Sequence, residues 1–165
     1  MIREWHHWLM AKTSKKPSYL GLLNAVALGE ANGALFLNAW ADTTSDPKVE
    51  EVLRFVAIRE HEHAAAFTKR IVELGFEVQP REDGGRHRKA MRMAKSSTSD
   101  AEKFEWFRLD QPPKETDIFD GFFANKDLDP QTGGLLGRYI AEERDSLRRF
   151  AACYQSLSRS AKRVA

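Results

Sequence analysis

Six ionisable side chains stand where the sequence pattern otherwise places apolar ones: Glu30, Glu60, His63, Glu102, Glu105 and Glu143. At about 100° per residue, Val49, Leu53, Val56, Phe67, Ile71 and Leu74 fall on one stripe of a helix, and Glu60 and His63 fall on it too. Glu62 lies on the opposite side and His61 on the flank. Glu30 sits near the centre of a stripe made by Tyr19, Leu23, Val26 and Leu37. Glu143 lies at the middle of another, made by Leu136, Tyr139, Ile140, Leu147, Phe150, Tyr154 and Leu157, with Glu142 a quarter-turn away and Asp145 nearly opposite. A weaker stripe of Ala94, Thr98, Ala101 and Leu109 carries Glu105, with Glu102 at its edge. Ionised groups on a core face are costly unless paired or ligated. Several carboxylates in one dry interior repel each other, and either take up protons or open the fold. Divalent metal ions remove that objection: carboxylates bridge and chelate iron or manganese, and imidazole completes the shell.

The elements that must position these residues are helices, since no segment alternates convincingly at period two. The first spans about 18–41, opened by Pro17-Ser18 and closed by the polar loop Asp42–Asp46. The second runs over 47–74, with Asp46 as N-cap, Pro47 at the first helical position and Gly75 just past the end. A basic segment begins a third over 86–109, continuous or broken at Ser96–Ser99. A loop-rich insertion over 110–132, with a short helical turn near 118–124, precedes the last helix at 130–158. A frayed basic tail follows it. Two helices of roughly 35–40 Å joined by a short loop form an antiparallel pair.

Composition narrows the function classes. The 165 residues suit a single domain with its own core. Lys and Arg number 26 against 24 Asp and Glu, a balance that argues against a dedicated nucleic-acid binder. The apolar stretch from Tyr19 to Ala41 is interrupted by Asn24, Glu30, Asn32 and Asn38, a polar load that a membrane span rarely carries. A single cysteine, Cys153, excludes an intramolecular disulfide and any four-thiolate metal site within one chain. The first residues carry no apolar run long enough for a signal peptide, so the expected compartment is the cytoplasm.

Each candidate has a plainer reading. Glu60 and His63 can be a buried pair. Glu30 can sit at a rim between Gly29 and Gly33, which allow close helix approach. Ser99-x-x-Glu102 is a capping box. Glu143 can pair with Arg144 or Arg148. The run Arg86-His87-Arg88-Lys89 reads as a solvated face more readily than as a phosphate or RNA contact. Trp5-His6-His7-Trp8 suggests a segment that docks on the bundle or on a second copy, as in a homodimer. Cys153 reads as a small buried residue.

Taken together, Glu30, Glu60 with His63, Glu102 with Glu105, and Glu143 resemble the ligand pattern of the ferritin-like superfamily, and within it the rubrerythrin-like di-iron carboxylate proteins. The resemblance covers roughly 18–158. It implies an all-α, antiparallel four-helix bundle with the metal between the helices. It also implies an oxidoreductase that acts on dioxygen or peroxide, or that oxidises iron. The family order is Glu, Glu-x-x-His, Glu, Glu-x-x-His. The fourth element departs from it, because Ser146 stands where the second histidine belongs. Two metal ions, one ion, or a decayed site are the open outcomes. With one cysteine the chain carries no rubredoxin-type module, so electrons come from an external donor. The rival expectation is a non-catalytic bundle acting as a dimeric structural or interaction module.

Overall fold

The computed structural model describes residues 16–82, 84–113 and 127–164, with backbone alone from 160 onward. Five helices account for most of the described residues: α1 (Leu20–Ala41), α2 (Pro47–Glu73), α3 (Arg86–Ala94), α4 (Asp100–Phe107) and α5 (Pro130–Val164). The chain is all-α, with no strand among the described residues. Trp5, His6, His7, Trp8 and the expected helical turn near 118–124 lie outside those residues.

The local signals act where their chemistry requires. The Asp46 carboxylate accepts from the amides of Lys48 (2.9 Å) and Val49 (3.3 Å), capping α2 ahead of Pro47. Gly75, at φ +84°, ends α2 with paired bonds from its own amide to the Val72 carbonyl and from the Phe76 amide to Ile71. Helix α1 starts at Leu20, two residues after the expected start, and its N-cap Tyr19 makes no side-chain cap bond. Helix α5 continues to Val164, past the expected end at 158.

The third expected helix is two. Ser99 is extended at φ −60°, ψ 153°, and starts α4 with a full capping box to Glu102. Local capping therefore overrides a continuous helix over 86–109. The break is plugged by a buried cation: Lys103 Nζ donates to the Ala94 carbonyl at the end of α3 (3.0 Å) and to Thr43 Oγ1 (3.2 Å).

Cross-helix bonds give the directions. Asn38 meets Arg54 and Glu30 meets His63, so α1 and α2 are antiparallel. Arg59 meets Asp145 and Arg70 meets Asp129, so α5 is antiparallel to α2. The apolar interior falls into two clusters. One gathers Leu37, Trp40, Val49, Leu53, Val56, Phe104 and Phe150. The other gathers Tyr19, Leu23, Val26, Phe67, Ile71, Leu136 and Tyr139. Glu30, Glu60, His63 and Glu143 lie in the layer between them. Helix α1 is long and apolar enough by length and composition to cross a membrane, yet half of its residues are buried within the protein, Glu30 among them.

Asp129 ties down the start of α5. It accepts from the Thr132 amide (3.0 Å), the Thr132 hydroxyl (2.6 Å), Tyr19 (2.6 Å) and buried Arg70 (2.9 Å). Asp129→Ala removes the cap and one of the two carboxylates that pair with buried Arg70, which keeps Glu73, Gln131 and Thr132, so urea denaturation should show a loss of about 2–3 kcal/mol. A loss below about 0.5 kcal/mol would show that Arg70 is satisfied without it.

Candidate metal centre

Three helices converge on the polar layer. Glu30 comes from α1, Glu60 and His63 from α2, and Glu143 from α5. One oxygen of Glu30, one of Glu143 and a ring nitrogen of His63 lie within 4.8 Å of one another. Glu30 and His63 are buried, and Glu143 is half-buried. His63 Nδ1 lies 3.2 Å from Glu30 Oε2 and 3.5 Å from Glu143 Oε1. Its other nitrogen, Nε2, lies 2.8 Å from Glu142 Oε2. Glu142 in turn accepts from Arg138 Nε at 2.9 Å. The Tyr139 hydroxyl donates to Glu30 Oε1 at 2.9 Å, and its ring meets the His63 ring edge-on at 4.9 Å.

Glu60 owes its place to Gly33. A Cβ at residue 33 would collide with the Glu60 carboxylate, so the missing side chain on α1 is the space that Glu60 fills. Gly29 does nothing comparable, for a Cβ there meets no neighbour. Only one of the two glycines flanking Glu30 is required by packing.

The donor set suits a divalent first-row metal ion. Carboxylate oxygens and one imidazole nitrogen converge from separate helices. Glu143 Oε1 is buried without a hydrogen-bond partner, and such atoms are uncommon in native interiors. The histidine's far nitrogen is held by a carboxylate, the usual arrangement behind a ligating imidazole. Beside the layer, a cavity of about 260 Å³ lined by Glu62, His63, Ala66, Leu135, Arg138 and Tyr139 leads to the ring. A larger groove of about 500 Å³ lies toward Phe55 and Cys153, away from these groups.

Protons offset part of the charge gathered in this layer. Burial, with the Glu30 and Glu143 charges nearby, pushes the Glu60 carboxyl up to about 10. For His63, burial pulls the other way, but the nearby carboxylates of Glu143, Glu30 and Glu142 outweigh it and raise the imidazole to about 10. Glu143 is also raised, chiefly by burial, with the Glu30 charge adding to it. Burial raises the Tyr139 hydroxyl, so it remains a donor to Glu30. Glu142 is lowered, because its bonds to His63 and Arg138 exceed the cost of its burial.

The sequence-derived set divides. Glu30, Glu60, His63 and Glu143 are brought together. Glu102 and Glu105 are not. Glu102 is exposed and closes the capping box on Ser99. Glu105 is exposed and accepts from the Tyr154 hydroxyl at 2.6 Å, about three turns or some 16 Å along α5 from Glu143. Helix α4 packs on the cluster that holds Leu37 and Phe150, and both residues lie there, away from the layer. Periodicity also misplaces two residues of α5. Glu142 reaches His63, and Asp145 reaches Arg59 of α2 at 3.0 Å. Helix α5 faces both α1 and α2, so its inward face is wider than one stripe. The Tyr139 hydroxyl had a legible signal, since a buried tyrosine needs a partner for its O–H.

No family model matches the chain, and neither the curated proteins nor the solved structures contain a match to it.

Two predictions follow from this geometry. Gly33→Ala should displace Glu60 and weaken divalent-metal binding by about tenfold or more while leaving the melting temperature nearly unchanged; Gly29→Ala should stabilise by up to about 1 kcal/mol and leave metal affinity alone. Calorimetry and metal titration of the pair check both, and equal affinities would contradict the role given to Gly33. The second concerns pH. His63 rises from 6.5 to about 10, so its stabilising contribution is complete below about 6.5 and is lost as pH climbs toward 10. Glu60 keeps its proton when folded but ionises near 4.5 when unfolded, so rising pH again favours the unfolded chain. The chelator-treated protein should lose thermal stability steadily from about pH 6 to about pH 9. A melting temperature that rises over that interval contradicts the assignment.

Proposed function

We propose that this chain is a non-haem metal–carboxylate protein, an oxidoreductase that binds iron or manganese and acts on dioxygen or peroxide, with electrons from an external donor. The observation that carries this reading is the meeting of Glu30, His63 and Glu143 from three helices around an unpartnered buried oxygen. The reading includes a ferritin-like bundle in the cytoplasm, in which α1, α2 and α5 are three of the long helices and the α3–α4 pair stands for the fourth.

Glu30, Glu143 and Glu60 would hold the metal by carboxylate oxygens, and His63 by Nδ1. The metal would supply reversible one-electron chemistry and a coordination position for a small oxidant. His63 has to give up its Nδ1 proton to serve as a ligand, while its Nε2 proton stays on the bond to Glu142. Glu60 has to give up its proton as well, so binding releases protons and tightens as pH rises. Tyr139 keeps one Glu30 oxygen engaged, and the other, held by His63 Nδ1 at 3.2 Å, would be released to ligate when that nitrogen gives up its proton. The adjoining cavity, about 260 Å³, has room for a small oxidant beside His63.

A metal-free structural bundle is the second reading. Its support is that imidazolium His63, paired with Glu30 and Glu142, balances much of the layer's charge without any ion. Anaerobic loading with Fe(II) or Mn(II), desalting and elemental analysis separate the two. Wild-type protein should retain metal, and His63→Ala and Glu143→Ala should each lose it, with affinity falling by about a hundredfold. Retention should go with consumption of peroxide or dioxygen in the presence of a reductant. A wild type that keeps no metal, while remaining folded by circular dichroism, leaves only the structural reading.

A further inference from the structure

On α2, Arg59 immediately precedes Glu60, and its guanidinium points across to α5. Nη1 donates to the Glu142 carbonyl at 2.9 Å, to Asp145 Oδ2 at 3.0 Å and to Ser146 Oγ at 3.0 Å. The side chain is 16% exposed, and Ser146 is 2% exposed. Ser146 also donates back to the Glu142 carbonyl at 3.0 Å, so its hydroxyl is committed in both directions. The guanidinium is pinned a second way, with Cζ 4.7 Å from the centre of the Phe55 ring. Asp145 divides its carboxylate between Arg59 and Arg149 (2.7 Å).

Ser146 stands three residues after Glu143, and the arginine lies against its hydroxyl, at the point from which a longer side chain there would extend. The guanidinium brings a charge that no accessible pH removes. From the metal-binding reading, on which this step rests, we infer that Arg59 is a fixed cation in place of a second metal ion, and that the centre is mononuclear.

Charge and ligand count lead to the same place. Arg59, Arg149 and the Asp145 carboxylate between them carry one net positive charge, and Glu30, Glu60 and Glu143 carry three negative ones when ionised, so one divalent ion brings the set to neutrality. A second divalent ion beside Arg59 would leave excess positive charge in a largely dry layer, which is costly. It would also lack a nitrogen ligand, because the only imidazole in the layer among the described residues is His63. Glu142 is engaged on one side by His63 and on the other by Arg138, so it is no free ligand for a second ion.

The test is stoichiometry with a spectroscopic readout. Full-length protein is loaded anaerobically with Mn(II), desalted, and examined by elemental analysis and electron paramagnetic resonance. The inference expects one manganese per chain and the six-line spectrum of an isolated ion. The Arg59→Ala/Ser146→His double variant should take up a second manganese and give an exchange-coupled signal. Two per chain in the wild type, or one in a folded double variant, overturns the inference alone. None in the wild type overturns the metal-binding reading itself.

Should the double variant not fold, the single variants decide. Arg59→Gln removes a neighbouring positive charge and should tighten the first manganese by about tenfold, while Arg59→Lys leaves it unchanged. A merely structural role for Arg59 predicts weaker binding in both, and that outcome counts against the inference.

Discussion

The interior is organised around one imidazole. His63, on α2, is gripped by Glu30 from α1 on one ring nitrogen and by Glu142 from α5 on the other. Apolar residues join the same three helices, but apolar packing tolerates sliding that a two-sided hydrogen bond does not. A slip of α5 by one turn moves its side chains about 5.4 Å and would leave a buried ring and two carboxylates unmatched. The apolar clusters above and below supply the free energy of burial, and the polar layer sets the register in which they meet.

Charge explains why the layer is so heavily supported from α5. Arg138, Tyr139, Glu142, Glu143, Asp145 and Ser146 occupy little more than two turns, and most act on another residue of the cluster. Arg138 steadies Glu142, Glu142 orients His63, and Tyr139 orients Glu30. A buried ionisable group is tolerated only when each face it presents is answered. Removal of any one partner exposes the next to the full cost of desolvation. This interdependence makes the layer a poor contributor to stability and a strong determinant of geometry.

The sequence makes the three long helices and four of the site residues legible, and physical reasons mark where it stops. Helical periodicity places Glu30, Glu60, His63 and Glu143 inward because each lies on a regular apolar stripe. It fails for Glu102 and Glu105, because it counts through Ser99, where a capping box restarts the chain direction. It fails for Glu142 and Asp145, because long side chains on a helix with two neighbours reach partners off the central stripe. The pattern is also blind to Arg59 and Lys103, charged residues whose burial is decided by acceptors supplied from other helices: Ser146 and Asp145 for one, the Ala94 carbonyl at the end of α3 for the other. Gly33 is half legible. Its small size suggests close approach, but that the approaching group is a carboxylate depends on the third dimension.

The α1–α2 hairpin bears on the order of assembly. Its contacts are local along the chain and close a loop of only a few residues, whereas α5 reaches the hairpin after the long excursion through α3 and α4. Short loops close at lower entropic cost, so nucleation favours the hairpin. On its own the hairpin already presents Glu30, Glu60 and His63 on its inner surface. Glu143, Glu142 and Arg59's acceptors arrive only with the last helix. The chain thus brings its inward-facing polar groups together in two instalments, and until α5 arrives Glu30, Glu60 and His63 stand open on the side that the last helix later covers.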